Sequence, residues 1–187
     1  MKIYFEHIDA IHQFTMELNY HYNTLKCKYC QNCNQFVSHG FVYKKQNNGE
    51  KKAVGKRLFC SNRHGKLGCG RTTRLYLAIL IPTFQYTNRQ IFIFLSALLS
   101  MSSIQKAYKL ATNTDDPRNA YRWLHKLWNK LIDYRCFLNL HTQCESFKFK
   151  FRARRLQILL PTIHELFLKI KELPCTQYQM LTQTSFA

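Results

Sequence analysis

Acidic residues are scarce in this chain. Only ten of its 187 residues are Asp or Glu, against 28 Lys or Arg, for a formal net charge of +18. The ten are Glu6, Asp9, Glu17, Glu50, Asp115, Asp116, Asp133, Glu145, Glu165 and Glu172. They do not fall on successive strands of an α/β core, the arrangement that would bring three carboxylates to a pair of metal ions. "HELFL" at His164 lacks the second histidine of a metalloprotease helix, and no His-x-His pair, P-loop or GxSxG is present. No residue is therefore assigned a catalytic role. Long apolar runs are missing too. "LYLAILIPTF" and "IFIFLSALL" are each shorter than the ~18 residues of a membrane span, and Arg89 lies between them. Residues 1–25 scatter Glu6, Asp9, His12 and Glu17 among their apolar positions, so no export leader is expected.

What is abundant is positive charge. An excess of this size repels itself and calls for a polyanionic partner, with an anionic membrane surface as the competing reading. With 46% hydrophobic residues, 14 Phe and 11 Tyr, the chain can bury a core, as one medium domain or two small ones. Eight cysteines without a leader point to metal ligation or free thiols before disulfides.

The expected architecture is α+β, a small antiparallel sheet followed by a helical domain. Over 1–25, Ile3, Phe5, Ile8, Ile11, Phe14 and Leu18 suit an amphipathic helix at about 6–20. Over 26–77, "QFVSHGFVYKK", "KRLFC" and "RTTRLYL" read as short antiparallel strands, with "QNNGEKK" as an exposed hairpin tip. The region 87–137 turns helical. Thr87 is a plausible cap for a first helix, Ser102 or Ser103 for a second, and Asp115 or Asp116, followed by Pro117, for a long one over 118–137. On the long helix Tyr121, Leu124, Trp128 and Leu131 share a face. The stretch 147–187 offers "FKFKF" as a short strand, a basic helix that Pro161 would bend, and a tail with weak signals.

The chemistry concentrates in the cysteines. Cys27, Cys30 and Cys33 are evenly spaced, so Cys27/Cys30 and Cys30/Cys33 both fit a two-cysteine metal knuckle. A second knuckle is expected at Cys60 and Cys69, the latter between Gly68 and Gly70. Eight residues separate that pair, more than in a compact ribbon, and His64 offers an alternative ligand. Four thiolates leave no open coordination position, so the expected cofactor is one structural Zn²⁺. Cys136, Cys144 and Cys175 are scattered and read as ordinary thiols.

Three groups of side chains are candidates for DNA contact. In the ribbon region Lys44, Lys45, Lys51, Lys52, Lys56, Arg57, Arg71 and Arg74 are opposed only by Glu50. "SSIQKAYKLATNTDDPRNAYRWLHKLWNKL" has the layout of a helix-turn-helix, with Arg118, Asn119, Arg122 and Lys126 early on its second helix, where side chains would reach base edges. "KFKFRARR" adds Lys148, Lys150, Arg152, Arg154 and Arg155, better suited to phosphate than to bases. All of them would serve equally as the solvated face of a packed domain.

The run "CKYCQNCNQFVSHGFVYKK…GKRLFCSNRHGKLGCGRTTRLYLA" resembles zinc-ribbon proteins carried by bacterial insertion sequences and other mobile elements. Those look like a transposase N-terminal ribbon joined to a helix-turn-helix, often without a catalytic domain. The likeness lies in the CxxC, "VSHG", the R-x-x-C strand and "GCGRT"; it is clearest over 25–77 and looser over 87–135. In that pattern the first knuckle stands some five residues before the "QFVSHG" strand, which implies Cys27 and Cys30 as its ligands and leaves Cys33 spare. The long Cys60–Cys69 gap belongs to the pattern. The resemblance implies a cytoplasmic, nucleoid-associated protein that binds double-stranded DNA at an element end or an operator. A transposase or a second copy of the chain would be its protein partner. The alternatives are a catalytic transposase or nuclease with an unrecognised site, and an RNA-binding or protein-interaction zinc module.

Overall fold

A computed structural model describes residues 3–18, 25–45, 49–81, 86–100, 102–140 and 152–187. The chain is α+β and divides into two compact units, Met1–Pro82 and Thr83–Ala187. The N-terminal segment belongs to the first unit. The helical region and the basic C-terminal region together make the second.

The first unit holds strand β1 (Ile3–Phe5), helix α1 (Ile8–Met16) and strands β2 (Phe36–Lys45), β3 (Lys51–Cys60) and β4 (Thr72–Leu77), in the sheet order β1-β4-β3-β2. β2 and β3 form an antiparallel hairpin whose register runs from Phe36 opposite Cys60 to Lys45 opposite Lys51, with irregularities between Ser38 and Phe41 and between Val42 and Tyr43. β4 pairs antiparallel with β3. β1 lies parallel to β4, with Ile3 opposite Leu75, so the sheet is mixed and not purely antiparallel. Side chains alternate across the sheet. On β3, Lys56, Leu58 and Cys60 are buried, and on β4, Thr73, Leu75 and Leu77. α1 is shorter than its apolar spacing suggests: the backbone leaves helical geometry at Glu17, the C-cap. Ile11 of α1 joins Leu25, Phe36, Leu58, Leu75 and Leu77 in one core that also contains Cys27 and Cys60.

The second unit contains helices α2 (Asn88–Leu99), α3 (Ile104–Thr112), α4 (Arg118–Asn129), α5 (Leu131–Phe137), α6 (Arg152–Lys169) and α7 (Pro174–Thr182). Thr87 caps α2 in a reciprocal box with Gln90, and the Ser103 hydroxyl accepts from the Lys106 N–H at the start of α3. α3 ends at Asn113, which takes the left-handed conformation. The single helix expected over 118–137 is interrupted at Lys130, whose N–H reaches back three residues to the Leu127 carbonyl and tightens the turn. Ala120, Trp123, Leu124 and Leu127 make the buried face of α4, and Leu131 and Tyr134 that of α5. Tyr121, expected on the same face, is exposed at its edge. α6 continues through Pro161.

Rings dominate this core. Tyr86, Phe94 and Tyr108 surround Trp123 edge-on, with centroids 4.7, 5.3 and 5.1 Å from it. A second group joins Tyr134, Phe137, Tyr178 and Phe186. There the Tyr134 hydroxyl donates to the Phe186 carbonyl, and burial holds its pKa well above the usual tyrosine range. α7 was not foreshadowed by the sequence of the tail. The strand expected at "FKFKF" and the thiol of Cys144 lie outside the described residues.

Candidate metal centre and nucleic-acid interface

The first cysteine knuckle is a tight turn after Leu25. The Cys27 N–H bonds the Asn32 carbonyl, and the Gln31 N–H bonds the Cys27 carbonyl at 2.8 Å. The second is built where β3 ends. The Cys60 N–H bonds the Arg71 carbonyl, and the Gly68 and Gly70 N–H groups bond the Ser61 and Cys60 carbonyls. Gly68 is required here because a Cβ would run into the Ser61 carbonyl, and Gly70 takes a φ of +71°. The eight-residue gap between Cys60 and Cys69 is therefore a closed loop that returns onto its own start.

Side chains hold the two knuckles together. Asn32 donates to the Leu67 carbonyl, Gln35 accepts from the Leu67 N–H, and Lys66 donates to the Asn34 carbonyl. Together they bring the sulfurs of Cys27, Cys30, Cys60 and Cys69 within 4.8 Å of one another. The Cys27–Cys69 and Cys30–Cys60 separations are both 3.7 Å. Metal–sulfur bonds of about 2.3 Å in a tetrahedron set sulfur–sulfur edges of about 3.8 Å. These two edges match such a tetrahedron and are far too long for a disulfide, and all four cysteines are free. These four can hold a metal ion. Cys33 and His64, the rival ligands, are not in the group.

The thiols differ in acidity. Burial resists ionisation of Cys27, but the backbone N–H groups of Cys30 and Tyr29 and the sulfurs of Cys69 and Cys60 bring it down to about 7. Burial pushes Cys60 up to about 12. One of these two thiolates forms readily and the other is resisted, and a cation held between them would favour the charged form of both. The Cys69 N–H points at the Cys60 sulfur from 3.4 Å.

The hairpin whose base meets this centre at Cys60 carries lysines in opposed positions toward its tip. Lys44 faces Lys52 and Lys45 faces Lys51 across β2 and β3, and Arg57 faces Arg74 across β3 and β4. Like charges directly opposite one another tend to destabilise a sheet. Lys51, Lys52 and Arg74 are exposed, and Lys44 and Arg57 are half-buried. Lys56 is not a surface cation. It lies on the inner face of β3 at 5% exposure and donates to the Thr15 hydroxyl at 2.6 Å, with the Phe41 ring 5.1 Å away. Burial lowers its pKa. Its alternation with Leu58 and Cys60 was the sequence signal for that position.

A feature that sequence reasoning missed sits on the first knuckle. Tyr29 is 43% exposed and lies between Lys28, 4.6 Å from its ring centroid, and Arg71, 4.7 Å from it. Its place between two ligand cysteines in "KCKYC" was the available signal.

In the helical unit α3 and α4 are joined by the five residues 113–117. The Arg118 guanidinium contacts Asp116 at 2.6 and 2.7 Å, and the Arg118 N–H bonds the same carboxylate, which holds Asp116 below the usual carboxylate range. Asp116, not Asp115, therefore caps this helix start, and Asp115 pairs with Lys109. Arg122 is exposed and reaches the Asn119 side-chain oxygen at 3.4 Å, while Lys126 is half-buried. Arg154 is exposed, and Arg155 lies 5.6 Å from the Trp128 ring centroid. Arg152 opens α6, and Lys148 and Lys150 lie outside the described residues. No helix among the described residues is long and apolar enough to cross a membrane. Compared with known proteins, the chain matches no protein-family model, no curated protein and no solved structure.

Proposed function

We propose that this chain is a zinc-dependent DNA-binding protein of a mobile element, one that binds an element end or an operator without itself transferring strands. In this reading one Zn²⁺ on Cys27, Cys30, Cys60 and Cys69 makes the first unit a zinc ribbon, and its hairpin grips phosphates. α3 and α4 act as a helix-turn-helix, with Arg122 and Asn119 at the bases and Arg118 and Lys126 at the backbone. Arg154 and Arg155 add phosphate contacts from α6. Double-stranded DNA is the primary partner, with a transposase or a second copy as the protein partner.

The observation that carries the reading is two opposed pairs of lysine positions toward the tip of the hairpin, Lys44 with Lys52 and Lys45 with Lys51, on strands whose other end carries the four-sulfur centre. A fold keeps such an arrangement at a cost, and neutralisation by a polyanion offsets it. The sequence likeness to insertion-sequence ribbons supports the mobile-element setting. The test is fluorescence anisotropy with the zinc-loaded protein on duplex DNA carrying the element's ends. The expected result is binding that survives non-specific competitor and weakens steeply with salt. Tighter binding to structured RNA than to any duplex contradicts the reading. So does metal-dependent strand cleavage that disappears on carboxylate substitution.

A further inference from the structure

A concavity of about 230 Å³ opens in the helical unit between α4, the start of α3 and α6. Leu124 and Leu159, both buried, line its inside, while Tyr121, His125, Trp128 and Arg155 stand around its mouth. Its volume falls below the roughly 300 Å³ where drug-sized ligand pockets begin, so it suits a single planar ring system. Its walls are apolar and aromatic, none of its lining residues is acidic, and Arg155 brings a cation to within 5.6 Å of the Trp128 ring centroid. An apolar slot with aromatic walls and a cation, Arg155, at its entrance complements a ring carried on an anionic backbone. The apolar side chain of a protein partner would fill the slot but make no use of that cation.

We infer that this pocket receives one unpaired nucleobase of a bound DNA strand, flanked by Trp128 and Tyr121, with the adjoining phosphate held by Arg155 and His125. This rests on the DNA-binding reading above. It extends that reading from paired DNA to a distorted or frayed site, because extruding a base costs least where pairing is already lost.

The test compares two duplexes of the same sequence, fully paired or with one unpaired 2-aminopurine, on the full zinc-loaded chain. The expected result is about tenfold tighter binding to the unpaired duplex, with quenched 2-aminopurine fluorescence, the scale of one stacked base. Trp128→Ala should abolish the preference while leaving affinity for the paired duplex. Because Trp128 is half-buried, Tyr121→Ala and Arg155→Gln, which alter the mouth, serve as second variants and should each reduce the preference. Equal binding of the two duplexes by the wild-type chain, or a preference that persists in all three variants, overturns the inference and leaves duplex binding standing. Failure to bind either duplex removes the DNA-binding reading and this inference with it.

Discussion

The two units bury their interiors with different chemistry. In Met1–Pro82 the centre is a largely aliphatic cluster, Ile11, Leu25, Leu58, Leu75 and Leu77 with Phe36, that takes in Cys27 and Cys60. In Thr83–Ala187 the centre is a set of rings packed edge to face around Trp123 and Tyr134. The first unit is close to the size, about 70–80 residues, below which a hydrophobic core alone seldom suffices and a metal or disulfide staple is needed. A metal held by the four cysteines would give the first unit such a staple, whereas the second buries rings of large apolar area.

The largest effect that would break this comparison is metal removal. Structural zinc in small fingers contributes about 10–16 kcal/mol of apparent binding energy, which is also folding energy. Chelation, or Cys60→Ser, should therefore erase amide-exchange protection over α1, β2, β3 and β4 and spare α2 to α7. Loss of protection in both units at once would show that they are not independent. The reciprocal change is Trp123→Ala, which empties the ring cluster and should cost about 3–5 kcal/mol. Thermal unfolding followed by circular dichroism should show the helical transition move down, while the metal content stays at the wild-type value.

A third change separates stability from binding in the sheet unit. Replacing Lys44, Lys45, Lys51 and Lys52 with Gln removes the like-charge pairs, so the hairpin should be no less stable. Affinity for duplex DNA should drop, and its log–log salt slope should shrink by about one for each lysine that contacts a phosphate. An unchanged slope would remove the hairpin from the interface. The smallest expected effect is local. Thr87→Ala breaks the capping box of α2 and should cost about 1 kcal/mol in the helical unit alone, read by denaturant unfolding.

Much of this arrangement was legible in the sequence wherever a local rule applied. Thr87, Ser103 and the glycines beside Cys69 each satisfy a backbone requirement within a few residues, and the structure uses them that way. Lys56 was misread as a surface cation because it was counted by residue type; its alternation with Leu58 and Cys60 marked it as inward-facing. β1 was not legible, since three residues carry too little periodicity and their partner, β4, is some seventy positions away. The break at Lys130 was hidden as well, because neither glycine nor proline marks it. Three evenly spaced cysteines cannot disclose by spacing alone which two share a cage. The hydrogen bonds of Asn32 and Gln35 to Leu67 orient the knuckle so that Cys27 and Cys30 point at Cys60 and Cys69.

The metal content of the folded, reduced protein decides the role of the cysteines, measured by elemental mass spectrometry for the wild-type chain, Cys33→Ser and Cys27→Ser. One zinc per chain is expected in the first two and none in the third. A folded sheet unit with four reduced thiols and no metal, or zinc lost with Cys33 and kept without Cys27, would contradict zinc ligation by Cys27, Cys30, Cys60 and Cys69.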